Sequence, residues 1–204
     1  MHKQYCGYVS IIGKPNVGKS TLINTMLDKK ISITSRKSQT TRNNILGIRT
    51  IANKQIIFID TPGMHIKSQK TMNKVLNKSA QGIIDDSDII LFVLQRLTLG
   101  DEDKLILEKL TEVNPKTICV INKIDQVEDK NKLLPFIEKL NEEYAFEEIH
   151  MISAKNNDGV DNLITAIEKY LPENNHIYDD NFKLYAKNII NLFGHDNLVL
   201  KNLI

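Results

Sequence analysis

The sequence predicts an α/β fold in three layers, in which helices cover both faces of a mostly parallel six-stranded sheet. Short apolar runs rich in β-branched residues recur along the chain, and each has about the length of a buried strand. Stretches with helical periodicity lie between most of these runs. Such alternation, with runs that are apolar on both faces, is typical of parallel strands covered by helices on both sides.

The elements follow from these patterns. Five strands are predicted at Tyr8–Ile12, Ile56–Ile59, Ile89–Leu94, Thr117–Ile121 and Ile149–Ile152. A sixth, expected to lie beside the second and antiparallel to it, is predicted at Asn44–Arg49. The predicted helices are Ser20–Leu27, Thr71–Ile84, Asp101–Leu110, Lys130–Tyr144 and Val160–Leu171.

The composition suits one globular domain with a short appendage. The chain has 204 residues and a formal net charge of +2, which is too small to indicate nucleic-acid binding by itself. Cys6 and Cys119 lie far apart, and Cys119 falls within a predicted strand, so we expect a buried thiol and a cytoplasmic protein without disulfides. No apolar run approaches the ~20 residues that cross a bilayer. Peripheral contact with the inner face of the membrane stays open.

The loop after the first strand has the pattern of a phosphate-binding loop. Gly13–Ser20 reads G-x-x-x-x-G-K-S, with a predicted strand before it and a predicted helix after it. Its backbone N–H groups are expected to surround phosphates, with Lys19 at the β- and γ-phosphates and Ser20 on Mg²⁺. A glycine-rich turn without a ligand is the alternative. The residues expected to contact the phosphates or Mg²⁺ are Asn16, Val17, Gly18, Lys19, Ser20 and Thr21.

The sequence Asn122-Lys123-Ile124-Asp125 directly follows a predicted strand and is expected to bind the base. The Asp125 carboxylate accepts two hydrogen bonds from guanine, whereas adenine presents an acceptor there. Bonds to a charged group are worth roughly 1.5–3 kcal/mol each, so they select guanine. The Lys123 stem is expected to cover the base, and the Asn122 amide to join this loop to the phosphate loop. A helix cap before Lys130 is the alternative.

Two further loops complete the predicted site. Ser153-Ala154-Lys155 follows the last strand, and its small residues let a backbone N–H reach the guanine carbonyl oxygen; a plain tight turn is the alternative. Asp60 ends another strand, where its carboxylate is expected to hold a water of the Mg²⁺ shell. The Gly63 N–H is expected to donate to the γ-phosphate, so that the loop relaxes when this phosphate leaves. A simple Asp-Thr-Pro-Gly turn is again the alternative.

Two features bear on hydrolysis. The polar stretch Ile31–Asn44 is long for a connection, which is typical of functional loops, and Thr41 (with Thr40 second) is expected to complete the Mg²⁺ shell. Met64 follows Gly63, at a place where many such loops carry a glutamine that positions the attacking water. Methionine cannot orient water. Either the protein does not hydrolyse its nucleotide, or other groups place the water.

Together these motifs resemble the Era family, which belongs to the translation-factor-related (TrmE-Era-EngA-like) GTPases. The most specific segments are YCGYVSIIGKPNVGKSTLIN and KISITSRKSQTTRNNILGI, and FIDTPGMH, VINKID and ISA agree with them. The resemblance runs from about Tyr5 to Leu171 and implies a P-loop NTPase fold, GTP and GDP as ligands, and hydrolysis of GTP. The catalytic residues it implies are Asn16, Lys19, Thr41 and Gly63.

The resemblance also implies partners. Era-type proteins act on 16S ribosomal RNA in assembly of the 30S subunit, through a KH domain that follows the GTPase domain and carries a G-x-x-G loop. Here residues 1–172 are expected to form the GTPase domain, and residues 173–204 a linker and short tail without a recognisable KH domain. A monomer is expected.

Some relatives with asparagine at the place of Asn16 use K⁺ as an activating ion. We therefore expect the Asn16 side chain and backbone carbonyls from the loop 31–41 to hold K⁺ against the phosphates. There the ion would supply the charge that an arginine finger supplies elsewhere. The alternative is that Asn16 only braces the loop through a hydrogen bond.

Two other function classes stay open. Met64 favours a module that binds GTP or GDP and regulates a partner without efficient hydrolysis. An adenine-specific P-loop enzyme, such as a nucleotide kinase, is disfavoured by Asp125 and by the lack of an evident lid for a second substrate.

Overall fold

Six strands form one sheet in the order β2-β3-β1-β4-β5-β6. All neighbouring strands are parallel except β2 and β3, which are antiparallel. The computed structural model describes residues 3–28, 44–60 and 87–179. The strands are β1 (Tyr5–Ile12), β2 (Asn44–Ile51), β3 (Lys54–Asp60), β4 (Ile89–Gln95), β5 (Thr117–Asn122) and β6 (Glu148–Met151). The predicted fold class is confirmed, including the antiparallel strand before β3.

Four α-helices lie in the described part of the chain: α1 (Lys19–Asp28), α2 (Asp101–Val113), α3 (Leu133–Glu143) and α4 (Val160–Tyr170). The prediction of one helix over Lys130–Tyr144 is wrong at its start. A 3₁₀ turn occupies Lys130–Lys132, because the Asp129 side chain accepts a hydrogen bond from the Asn131 N–H there. A second 3₁₀ turn spans Ile124–Gln126. The helix predicted at Thr71–Ile84 lies outside the described residues.

The strands are buried on both faces, as their composition predicts. In β4, alternate residues join opposite cores: Leu91 packs in the core under α1 and α4, and Phe92 in the core under α2 and α3. Cys119 belongs to the second core, and complete burial raises the pKa of its thiol. No helix among the described residues combines the length and apolarity that a bilayer crossing requires.

The segment after α4 crosses the amino-terminal end of the sheet. The side chain of Gln55 is fully buried there and pairs with this segment as a backbone amide would. Its Oε1 accepts from the N–H groups of Ile177 and Tyr178 at 3.0 Å each, and its Nε2 donates to the Tyr178 carbonyl at 2.8 Å. The first residues of the predicted linker are therefore hydrogen-bonded to the sheet.

The role of Gln55 is tested by its replacement with leucine. Gln55→Leu leaves the N–H groups of Ile177 and Tyr178 and the Tyr178 carbonyl without this fully buried partner, so we expect the free energy of unfolding to fall by about 2–3 kcal/mol. Urea denaturation measures this change. Glu173→Gln is the control, because it breaks only the exposed ion pair with Lys3 and should cost less than about 0.5 kcal/mol. Equal stability of the two variants would contradict the role of Gln55.

Candidate functional site

Three of the predicted loops meet at one edge of the sheet. They follow β1, β5 and β6, and because these strands run parallel, their carboxyl ends lie at the same edge. This is the edge at which open α/β sheets bind ligands. The segment held by Gln55 lies at the opposite edge, so it does not contribute to this site.

The loop after β1 adopts a backbone that only some residues tolerate. Gly13 has φ +144° and Gly18 has φ +100°, and Asn16 between them lies in the left-handed region at φ +64°. A Cβ on Gly13 would overlap the Val93 carbonyl oxygen, and one on Gly18 would overlap the amide of Asn122. Glycine is therefore required at both positions, both for its conformation and for the close approach of neighbouring groups.

The loop ends at the amino terminus of α1, which has no acidic residue in its first turn. The ammonium group of Lys19 donates to the carbonyls of Gly13 at 2.7 Å and Lys14 at 2.6 Å, so it lies across the loop. Ser20 and Thr21 are exposed in the first turn of the helix. The backbone N–H groups and the ammonium group are donors that suit phosphate, and the helix dipole favours an anion at the same place.

Asn122, the last residue of β5, joins two of the loops to each other. Its side chain is 2% exposed and uses both ends of its amide. Nδ2 donates to the Val17 carbonyl of the phosphate loop at 2.9 Å, and Oδ1 accepts from the Ala154 N–H at 3.0 Å. The contact with the phosphate loop is the one expected from the sequence. The contact with Ala154, which the sequence does not indicate, ties the loop after β6 to the same side chain.

Lys123 adds a second connection from β5 to the phosphate loop. Its backbone is left-handed, with φ +62°, and its ammonium group donates to the Asn16 carbonyl at 2.6 Å. The same group donates to Oε1 of Gln95, the last residue of β4, at 3.0 Å. The end of the Lys123 side chain is thus held by two acceptors.

The Asp125 carboxylate is oriented by the loop after β6. The hydroxyl of Ser153 donates to Oδ1 of Asp125 at 2.7 Å and accepts from the Asn156 N–H at 3.3 Å. Ser153 is 1% exposed, whereas Asp125 lies at the surface of the site. The carboxylate is therefore held at one oxygen, and the other bonds to no residue that the structure describes.

Among Ser153, Ala154 and Lys155, one N–H group has no acceptor in the part of the chain that the structure describes. The Ser153 N–H donates to the Asp158 carbonyl at 3.0 Å, and the Ala154 N–H is taken by Asn122. Within the described ranges the Lys155 N–H has no acceptor. The Lys155 N–H is therefore available to act as the donor that the sequence predicts in this loop.

Two contributors to the site were missed by sequence reasoning. Thr25 of α1 donates its hydroxyl to the Ala154 carbonyl at 2.9 Å, although this hydroxyl also lies 2.9 Å from the Thr21 carbonyl. Gln95 supplies the second acceptor for Lys123. Neither belongs to a motif. In the sequence Thr25 resembles any helix residue and Gln95 any strand end, so only the folded structure reveals them.

Of the remaining predicted residues, the structure describes only some. Asp60 ends β3 with its backbone opposite Asn44, beside the strand that carries the phosphate loop. Within the described residues the Asn16 side chain makes no hydrogen bond, so the bracing bond considered from the sequence is not seen there. The predicted residues that lie outside the described ranges are Thr40, Thr41, Gly63 and Met64.

The importance of the Asn122 amide is tested by the isosteric change Asn122→Asp. The carboxylate cannot donate to the Val17 carbonyl and would face it as a buried charge, so we expect the free energy of unfolding to fall by about 3 kcal/mol. Denaturant unfolding followed by circular dichroism measures this. Asn131→Asp, the same change at an exposed position, should stay within about 0.5 kcal/mol. If Asn122→Asp matched that control, the linkage would not matter to the fold.

Comparison with known proteins finds related GTPases. A family model described as 50S ribosome-binding GTPase matches residues 8–123. GTPase Era of Pseudomonas entomophila is 45% identical over 86% of this chain and 58% of its own length. GTPase Era of Coxiella burnetii is 46% identical over 85% of this chain and 58% of its own. The chain thus spans less than two thirds of the length of these relatives.

Solved structures lead to the same family. Era in complex with MgGDPNP and nucleotides 1506–1542 of 16S ribosomal RNA superposes with a TM-score of 0.70 and 38% identity, over 87% of this chain and 61% of that one. A variant of Aquifex aeolicus Era bound to GDP and AlF₄⁻ gives 0.69 and 37%, over 86% and 60%. The FeoB G domain of Methanococcus jannaschii, at 19% identity and a TM-score of 0.57, shares the fold.

The resemblance predicted from the sequence is therefore confirmed by sequence relatives and by structural neighbours. The family model spans more than half of the chain, and it includes the phosphate loop, Asn122 and Lys123. This chain belongs to the 50S ribosome-binding GTPase family, and the curated relatives that it resembles include GTPases named Era.

Proposed function

We propose that this chain is a molecular switch that binds GTP and GDP and hydrolyses GTP to GDP and phosphate. The observation that carries the proposal is the link through Asn122, which holds a phosphate loop and a guanine-recognition loop at a fixed separation. A nucleotide has the same two parts, a phosphate chain and a base, at a fixed distance. The site therefore fits one nucleotide better than two separate small ligands.

The phosphates would be held by the loop after β1. Backbone N–H groups from Asn16 to Thr21 surround them, and the Lys19 ammonium moves little to reach the β- and γ-phosphates from its place across the loop. Mg²⁺ would be held by Ser20 and Thr41, and by Asp60 through water. The ion neutralises charge on the phosphate oxygens when bound. One solved Era relative contains MgGDPNP, which supports this ligand set.

The base would be held by the loops after β5 and β6. Asp125 accepts from the ring N–H and the amino group of guanine, and the Lys155 N–H donates to its carbonyl oxygen. Ser153 fixes one oxygen of Asp125, so the carboxylate needs little ordering when the base binds. Lys123, held at Asn16 and Gln95, covers one face of the base with its stem.

Water placement would rely on backbone and ions, because Met64 supplies no polar group. The Gly63 N–H would bind the γ-phosphate, and K⁺ held by Asn16 and by carbonyls of residues 31–41 would supply positive charge beside the phosphates. The Asn16 side chain is exposed, so it is accessible to such an ion.

The partner would be the small ribosomal subunit. One solved Era relative is bound to nucleotides 1506–1542 of 16S ribosomal RNA, and from it we infer a role in 16S rRNA processing and 30S assembly. Residues 1–172 would form the switch domain and residues 173–204 a linker and tail. The protein would act as a monomer in the cytoplasm, with contact to the inner face of the membrane as a further expectation.

Single-turnover hydrolysis tests the activity and its ion. With protein in excess over GTP and Mg²⁺ present, we expect phosphate release at least about tenfold faster in KCl than in NaCl at matched ionic strength. The reason is that in other GTPases the positive charge of an arginine finger at this place accelerates hydrolysis by about 10³-fold or more. Asn16→Gly keeps the left-handed backbone and removes the side chain, so it should abolish the difference.

Two results would count against the proposal in different ways. Equal rates in KCl and NaCl would contradict the role of K⁺ but would leave the proposed GTPase activity intact. GDP and GTP binding without any phosphate release would favour the alternative that Met64 suggests, a regulatory module that binds the nucleotide without efficient hydrolysis.

Asp125→Asn tests recognition of the base. The amide donates to the carbonyl that xanthine carries in place of the guanine amino group, and it can still accept from Ser153. We expect preference for XDP over GDP to rise by about 100-fold or more, measured by competition against a labelled nucleotide. Asp129→Asn, which changes an exposed carboxylate of a nearby turn, should leave preference unaltered. An unchanged preference in Asp125→Asn would contradict the assigned role.

A further inference from the structure

An ion pair connects the phosphate loop to a helix that no nucleotide motif includes. Lys14, the second residue of the loop, directs its side chain away from Lys19 and towards the first turn of α2. Its ammonium group lies 2.6 Å from Oδ2 of Asp103. The Lys14 side chain is 18% exposed, and that of Asp103 is fully buried. Water therefore screens this pair far less than it screens the exposed pairs of the protein.

Neighbouring groups fix the Asp103 carboxylate and leave space for the Lys14 ammonium group. Oδ2 of Asp103 also accepts from the Gly100 N–H at 2.9 Å, which fixes the carboxylate at the start of α2. A Cβ on Gly100 would lie 3.1 Å from the Lys14 ammonium, closer than most such contacts, so glycine leaves room for the lysine. In the described part of the chain, Lys14 is the only cation that contacts Asp103, whose Oδ1 is buried without a partner.

The same lysine also holds the residue that reaches the phosphates. Its carbonyl accepts from the Lys19 ammonium at 2.6 Å, while its own ammonium is fixed on α2. The adjoining Gly13 has φ +144° and imposes no side-chain restraint on the backbone at that point. The ion pair thus anchors a loop segment that glycine leaves conformationally free.

We propose that Lys14 and Asp103 are positioning residues for phosphate binding. Their ion pair fixes the Lys14 carbonyl, and this carbonyl directs the Lys19 ammonium into the site. Neither side chain touches the nucleotide. The inference rests on the proposed function, because it assigns the pair to the binding of GDP and GTP.

The test compares the affinity for GDP and IDP among matched variants of the full chain. Lys14→Met, Asp103→Asn and their combination should each bind GDP about tenfold more weakly, because weakening one hydrogen bond between Lys19 and a charged phosphate lowers affinity by about that factor. The ratio of GDP to IDP affinity should not change, because it reports on the guanine amino group. Lys14→Arg, which keeps the charge, should restore affinity to within about threefold of the unsubstituted chain.

Controls separate positioning from folding. Lys109→Met with Glu112→Gln removes an exposed ion pair on the same helix and should leave GDP affinity unaltered. The combined variant at Lys14 and Asp103 leaves no unpaired charge behind, so its thermal unfolding should resemble that of the unsubstituted chain even if a single variant unfolds early.

Each outcome decides the matter. Weakened GDP binding with an unchanged base preference and rescue by arginine supports the inference. Affinity equal to that of the Lys109 and Glu112 control overturns it and leaves the proposed function intact. A changed ratio of GDP to IDP affinity, or failure of Lys14→Arg to restore binding, also overturns it. Failure of the unsubstituted chain to bind GDP overturns the proposed function, and this inference with it.

Discussion

The two hydrogen bonds of the Asn122 amide hold the site together. One is made to the phosphate loop and the other to the loop after β6, so three loops that are distant in sequence depend on one side chain. Each bond adds only about 1 kcal/mol net, but a buried amide left unpaired costs more than that. Since Asn122 is almost fully buried, the loops cannot separate without exposing or orphaning it. The sheet register, which pairs Asn122 with Gln95 at the end of β4, fixes where the amide stands.

Groups pack closely where these loops meet, which explains why glycine is required at two positions of the phosphate loop. Gly18 leaves room for the Asn122 amide, and Gly13 for the Val93 carbonyl. The lysines add connections at longer range: Lys123 reaches Asn16 and Gln95, and Lys14 reaches α2. The loops are thus stiffened by many polar contacts at the carboxyl edge, whereas the amino edge is closed by Gln55 and the segment after α4. The proposed nucleotide site and the segment after α4 therefore lie at opposite ends of the same strands.

Periodicity and composition were enough to predict the sheet and most helices, because buried parallel strands leave long apolar runs. Short motifs indicated which loops come together at the carboxyl ends of the strands, because such motifs depend on local backbone geometry. The start of α3 was predicted too early, because a side-chain bond to Asp129 forms a 3₁₀ turn where helical periodicity continues. Thr25, Gln55, Gln95 and the partner of Lys14 escaped prediction. Each makes contacts far away in sequence and belongs to no repeating pattern, so its role arises only when the sheet brings the partners together.

The loops after β1, β5 and β6 are proposed to act as one guanine-nucleotide site. Amide hydrogen exchange with and without nucleotide tests it most directly, because it reports on each loop separately. We expect GDP with Mg²⁺ to slow exchange together in segments 13–21, 122–126 and 152–156, and ADP to slow exchange in none of them. Protection confined to the phosphate loop, or equal protection by ADP, would contradict it.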